Sequence, residues 1–303
     1  MAAEGGNIIW FTYTGADDEV IPLEATHILV QARVIRRNAF RNHRNIVEVI
    51  CDEDVERVEE GAFFQCPSLK RVIMRGVKAV EQNAFQDCRS LEDVESGKLK
   101  IIGTCAFAGC ASLRIINLQS ARIVGRAAFA CCESLMDVKV SIKLKRIGEF
   151  AFRNCYSLKR ITLPLKDGLF TRDNQFLGCD NLQQVDLIEG ELLHGTITAF
   201  HFEEWRNDMN EEINSINQIL PSAEAGSRWH MLSPGEKARE IQRWIRSVLD
   251  KIIHYKAEHR RLLSEAAMTL ELVSPNYDIV MNNVLPFLEL PSYTFEVEDD
   301  EED

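Results

Sequence analysis

The 303-residue chain has no apolar run near the roughly 18 residues of a membrane-spanning helix, which excludes a multispanning membrane protein. It has no excess of base either. Its 35 Lys and Arg face 47 Asp and Glu, for a formal net charge of −12. Seven of the acids lie in residues 296–303. The rest of the chain is therefore at about −5, the wrong sign for a general nucleic-acid binder, which must neutralise phosphates. No asparagine stands in an Asn-x-Ser/Thr sequon. The opening Met-Ala-Ala-Glu-Gly-Gly-Asn has neither a basic n-region nor a long apolar h-region. From these features we expect a cytoplasmic location, with a nuclear one left open, and nine reduced cysteines.

Catalytic signatures are missing as well. The chain contains no G-x-x-x-x-G-K-[ST], G-x-G-x-x-G, H-E-x-x-H or G-x-S-x-G. No C-x-x-C pair offers zinc-site spacing. His254 and His259 are five residues apart, so on a helix they would not share a face as i,i+4 ligands do. We expect no enzyme, no metal and no cofactor.

What is present is a repeat. Phe40, Phe63, Phe85, Phe107, Phe129, Phe152 and Phe176 recur at separations of 23, 22, 22, 22, 23 and 24 residues. Three residues after Phe stands Cys66, Cys88, Cys110, Cys132, Cys155 or Cys179, with His43 in the first copy. Leu follows three further on, with Ile46 in the first copy. Next, after three more, comes a β-branched residue in every copy, from Val49 to Val185. Five residues before Phe is Val or Ile, failing only at Thr171. All length variation falls after this strand and before the next Phe. Inward positions in register with slack confined to one loop face are the mark of a solenoid.

Leu-x-x-Val/Ile-x-Leu/Met reads as a short strand, and the preceding Ala-Phe-x-x-Cys as one helical turn facing the same core. Each unit of about 22 residues is too small to bury its apolar stripe alone, so stacking supplies the core. Seven strands spaced by about 4.8 Å predict a ladder roughly 30 Å long. Phe63, Phe85, Phe107, Phe129 and Phe152, with Cys66, Cys88, Cys110, Cys132 and Cys155, are the predicted core columns.

The frame Ile-x-x-x-Ala-Phe-x-x-Cys-x-x-Leu-x-x-Val, as in Ile147, Ala151, Phe152, Cys155, Leu158 and Ile161, resembles leucine-rich repeats of the BspA type. The resemblance spans roughly residues 32 to 188. It departs at His43 in the first copy, at Ser96 in the third, and at Thr171 and Gln175 in the seventh. End departures fit capping repeats, and Ser96 suggests a local defect. The stretches from Trp205 to Leu220 and from Ile241 to Arg246 resemble the helical tail of a large group of such proteins in unicellular algae. The resemblance implies an α/β solenoid fold and brings no established biochemical activity.

The cysteine column invites a disulfide or metal reading. Parallel rungs hold Cβ atoms about 4.8 Å apart, beyond the roughly 3.5–4.5 Å that a disulfide prefers. A small buried hydrophobe in each turn is the simpler account. Cys105 and Cys131 lie off the column and should be more accessible.

Beyond the repeats the period becomes helical. Trp205, Met209, Ile213, Ile216 and Leu220 follow 4-4-3-4 spacing up to Pro221. Ser233-Pro234-Gly235-Glu236 then forms a capping box with Pro at the first helical position. It predicts a helix to about Leu272, roughly 55 Å long. The two helices predict an antiparallel, coiled-coil-like hairpin. The organisation expected is an N-terminal strand or cap segment (1–31), a seven-repeat solenoid (32–190), a helical hairpin (191–274), and a docking strip with a disordered acidic tail (275–303).

Side chains alternate along a strand, so two columns should face outward. One reads Glu48, Arg71, Asp93, Ile115, Asp137, Arg160, Gln184; its neighbour reads Ile50, Ile73, Glu95, Asn117, Lys139, Thr162, Asp186. Extended mixed surfaces on solenoids are platforms for proteins or peptides. The candidate partner-binding residues are therefore Arg71, Asp93, Glu95, Asn117, Asp137, Lys139, Arg160 and Gln184. The competing expectation is a scaffolding subunit that self-associates through its C-terminal helices. Arg33, Arg36, Arg37, Arg41 and Arg44 would be the nucleic-acid contact if there were one, but the acidic body opposes it.

Overall fold

The structure is a computed structural model that describes residues 8–172, 174–188, 207 and 236–273. The chain order runs β1 (Trp10–Tyr13), β2 (His27–Val30), β3 (Val34–Ile35), β4 (Glu48–Cys51), β5 (Arg57–Val58), β6 (Arg71–Met74), β7 (Ala79–Val80) and β8 (Asp93–Ser96). It continues with β9 (Ile101–Ile102), β10 (Ile115–Leu118), β11 (Ile123–Val124), β12 (Asp137–Val140), β13 (Arg146–Ile147), β14 (Arg160–Pro164) and β15 (Gln184–Ile188). The last described element is α1 (Glu236–Val273).

The long strands form one nine-stranded parallel sheet in the order β1-β2-β4-β6-β8-β10-β12-β14-β15. That is two strands more than the seven Phe frames predict, because β1 and β2 pair ahead of the first frame. Six rungs also contribute a two-residue strand each to a second parallel sheet, β13-β11-β9-β7-β5-β3. This second sheet explains the Val/Ile column five residues before Phe: Ile35, Val58, Val80, Ile102, Val124 and Ile147 are its buried members. Two residues are too few to show alternation, so the sequence reveals a column there without a sheet.

Between the sheets runs the Phe column. Rings from Phe40 to Phe176 stack nearly parallel, with interplanar angles of 3–7° and centroid separations rising from 4.8 to 5.8 Å. Every one is at most 1 % exposed. Offset aromatic stacking adds to the area each ring removes from water.

The Cys column is buried beside it, and each thiol has a task. Cys66, Cys88, Cys110, Cys132, Cys155 and Cys179 Sγ–H groups donate to the carbonyl oxygen of the Phe one rung earlier, at 2.9–3.2 Å. The carbonyls of Phe40, Phe85, Phe107, Phe129 and Phe152 also accept a turn hydrogen bond, so there the thiol satisfies the second lone pair. A residue here must be small, apolar enough to bury, and able to donate. In the first copy His43 fills the place, with Nε2 3.0 Å from the Pro22 carbonyl. Ser96 is no defect: it is buried, and its Oγ donates to the Asn117 carbonyl at 3.2 Å.

The Ala-Phe-x-x-Cys turn is tighter than the single helical turn expected. The residues two before and two after Phe are left-handed: Asn38 and Asn42, Gly61 and Gln65, Asn83 and Asp87, Cys105 and Gly109, Ala127 and Cys131, Phe150 and Asn154. Gly, Asn and Asp tolerate that region, whereas other residues lose about 1–2 kcal/mol there. Gln65, Cys105, Ala127, Cys131 and Phe150 are thus strained.

By its contacts the chain divides into Met1–Ile188 with Ile216–Arg243, and Glu189–Ser215 with Trp244–Asp303. In the first unit the Lys237 ammonium donates to the Cys179 carbonyl at 2.7 Å, and burial pushes its pKa down. In the second, Trp244, Ile245, Val248, Leu249, Ile252 and His259 are buried. The helix predicted from the capping box is α1. Its expected hairpin partner around 198–220, the docking strip and the acidic tail lie outside the described residues.

Candidate strand-face interface

In β2, β4, β6, β8, β10 and β12 alternate residues are buried and the intervening ones point outward, as in the exposed-buried-intermediate-buried pattern of β6. Parallel register carries these positions across the rungs. Glu48 lies opposite Arg71, Arg71 opposite Asp93, and Asp93 opposite Ile115. Asp137 lies opposite Arg160, and Arg160 opposite Gln184. The second row aligns Ile73 with Glu95, Asn117 with Lys139, and Lys139 with Thr162. All eight candidate residues therefore stand on one face in two rows.

Their electrostatics divide the face into three. Toward the N-terminal side Arg71 is a hub: its Nε is 3.2 Å from Asp93, and its Nη1 and Nη2 are 3.6 and 3.7 Å from Glu48 and Glu95. Arg75 also holds Glu95, at 2.7 Å. Toward the other end Arg160 pairs with Asp186, which accepts from Gln184 Nε2 at 2.9 Å. The middle is different. Ile115 is 66 % exposed, an unusual state for a strand isoleucine on a charged face. Beside it Asn117 and Lys139 are exposed, and Asp137 is half-buried with a buried Oδ1 that lacks a hydrogen-bond partner. An acceptor left in that state costs free energy unless a donor arrives.

Sequence reasoning placed these columns but missed the division, because ion pairing depends on side-chain direction. The N-terminal arginines show the same. Arg33 pairs with Glu56 at 2.9 Å, Arg37 with Glu60 at 3.1 Å, and Arg36 with Asp17. Arg41 stacks over Phe64 at 4.6 Å. Three of the five arginines are thus held by neighbouring carboxylates.

The nine cysteines are all free thiols, seven of them buried, with Cys105 and Cys131 half-buried. Burial pushes the Cys51 thiol up to about 12, and it raises Cys88, Cys110, Cys132 and Cys155 as well. Among the described residues, no group of three or more His, Cys, Asp or Glu is placed to hold a metal, and no helix is long and apolar enough to cross a membrane.

The BspA type leucine-rich repeat region matches this chain in six copies, over residues 19–121 and 78–204. The chain belongs to that family, whose repeats generally serve as protein-interaction modules. No curated protein matches it. Among solved structures it is similar to the T. pallidum leucine-rich repeat protein, at 20 % identity and a TM-score of 0.39, covering 64 % of this chain and 88 % of that one. A leucine-rich cell surface protein of Faecalibacterium prausnitzii matches at 16 % identity and a TM-score of 0.37, covering 67 % of this chain and 64 % of that one. A leucine-rich repeat protein from Bacteroides ovatus matches at 18 % identity and a TM-score of 0.29, covering 52 % and 64 %.

Proposed function

We propose that the protein is a non-enzymatic binding module whose strand face recognises a protein or peptide partner. The observation that carries this reading is the middle of the face. There an exposed Ile115 sits between two aspartates, next to Asn117 and Lys139, and bracketed by charge clusters that pair among themselves. Interface hot spots have this composition: an apolar anchor at the centre, and polar groups around it that keep water out. The clusters of Arg71 and Arg160 would then set orientation and encounter rate more than affinity.

The test is affinity capture with the full chain, comparing two double variants. Ile115→Asp with Lys139→Glu should abolish capture without unfolding, since exposed substitutions change stability by only about 0.5 kcal/mol. Ile253→Asp with Met268→Asp, at exposed apolar positions of α1, should leave capture intact. Loss in the helix variant alone would replace this reading with assembly through the C-terminal helix.

A further inference from the structure

Four of the five strained turn residues cluster, while the fifth, Gln65, lies elsewhere on the turns. Cys105, Ala127, Cys131 and Phe150 come from three successive rungs, and all four border one pocket of about 450 Å³. Gln65 apart, the remaining left-handed positions of the described chain hold Gly, Asn or Asp. Concentrating unfavourable backbone around one cavity is a pattern of functional sites. The pocket lies on the turns, away from the strand face.

Its chemistry is specific. Ala127 and Ala130 leave the space, and Phe150 walls it. The guanidiniums of Arg126 and Arg153 lie 5.9 and 5.6 Å from the Phe150 ring centroid. Glu149 is the carboxylate beside them, 3.8 Å from Arg126, and it is shared with Arg172 at 3.7 Å. Two guanidiniums share that carboxylate and a third, that of Arg153, lines the pocket, which leaves positive charge at the rim. Into this pocket project the two half-buried thiols of the protein, Cys105 and Cys131.

We propose that this pocket binds a small anionic disulfide and that Cys131 exchanges with it to form a mixed disulfide. The Cys131 thiolate attacks one sulfur of the bound molecule. A new Sγ–S bond forms as the original S–S bond breaks, and the departing thiolate takes up the proton that Cys131 gave to water. Cys131 is oxidised as half of the disulfide is reduced, so the balance needs no other oxidant. Arg126 and Arg153 hold the carboxylates of the incoming molecule. Cys131 is the attacking thiol because its Sγ is fixed by Asn154 Nδ2 at 3.7 Å. Burial raises the Cys105 thiol, with Arg126 opposing, so less of it stands as thiolate.

The experiment treats the full chain with oxidised glutathione or with the neutral 2-hydroxyethyl disulfide, and maps the adducts by peptide mass spectrometry over time. The readout is the ratio of the two rates at Cys131, divided by the same ratio in urea-unfolded protein. It should exceed unity by about tenfold, the size expected of two guanidiniums roughly 5 Å from a carboxylate in water. The excess should vanish in the double variant Arg126→Gln, Arg153→Gln. It should also vanish in the unaltered chain at about 1 M salt, where charges are screened beyond about 3 Å. A normalised ratio of one in the unaltered chain at low salt would overturn the proposal. So would native-state modification of Cys132 as fast as that of Cys131.

Discussion

The interior column and the strand face of the same repeats obey opposite rules. Inside, each rung repeats its neighbour: Phe upon Phe, and Cys thiol upon the preceding carbonyl, from Phe40 to Cys179. Outside, no outward column keeps one residue type, and its members run from acid to base to isoleucine. Repetition is what a ladder needs, because each rung's ring must match the one below. Variety is what recognition needs, since an identical residue on every rung would not fix a partner's register. Stability should therefore respond steeply to changes inside and weakly to changes outside.

The sharpest way to break that contrast is Phe107→Ala. Phe107 lies between Phe85 at 5.1 Å and Phe129 at 5.5 Å, and it is fully buried. Its loss should cost about 3–5 kcal/mol, from lost transfer plus a cavity. Denaturant unfolding measures this, and a loss under about 1 kcal/mol would contradict the stack.

A second, smaller effect appears with pH. Burial raises the thiol of Cys110 above the ordinary value of 9.0. The unfolded chain therefore releases that proton first, and the stabilisation is complete below pH 9 and lost as pH rises beyond it. Each such thiol contributes a slope of about 1.4 kcal/mol per pH unit. Unfolding midpoints at pH 8, 9, 10 and 11 should fall, and Cys110→Ala should fall less steeply by one thiol's share. A curve identical to that of the unaltered chain would mean that Cys110 is solvated.

The smallest effect belongs to the outside. Arg71 touches three carboxylates, yet its side chain is 47 % exposed. Exposed ion pairs contribute about 0–1 kcal/mol and weaken with salt. Arg71→Gln should lower stability by less than about 1 kcal/mol, and by nothing measurable at about 1 M salt. A loss comparable to that of Phe107→Ala would erase the distinction between the two surfaces.

How legible each surface is follows from the same contrast. The Phe, Cys, Leu and Val columns are visible in the sequence because repetition is itself a signal, and the structure buries Phe63, Phe85, Phe107, Phe129, Phe152 and their cysteines as expected. The helix after Ser233-Pro234-Gly235-Glu236 is visible in the sequence through its capping motif and apolar spacing, and α1 is helical throughout its described span, Glu236–Val273. The second sheet was hidden by its two-residue strands. The left-handed pair in each turn was only partly announced: Asn, Asp or Gly marks it at Asn38, Asn42, Gly61, Asn83, Asp87, Gly109 and Asn154, but Gln65, Cys105, Ala127, Cys131 and Phe150 break the pattern. The commitment of Arg71 to Glu48, Asp93 and Glu95 depends on where a long side chain reaches, which no column of letters records.

The parallel order of the large sheet also has a mechanical meaning. Its strands lie across the axis along which rungs add, so a pull along that axis loads the inter-strand hydrogen bonds one rung at a time. Such a sheet peels open; it does not resist by shearing many bonds at once. Each rung released would pay out its own length of chain, and the loosest stack, Phe152 on Phe176 at 5.8 Å, marks the end from which unzipping would start.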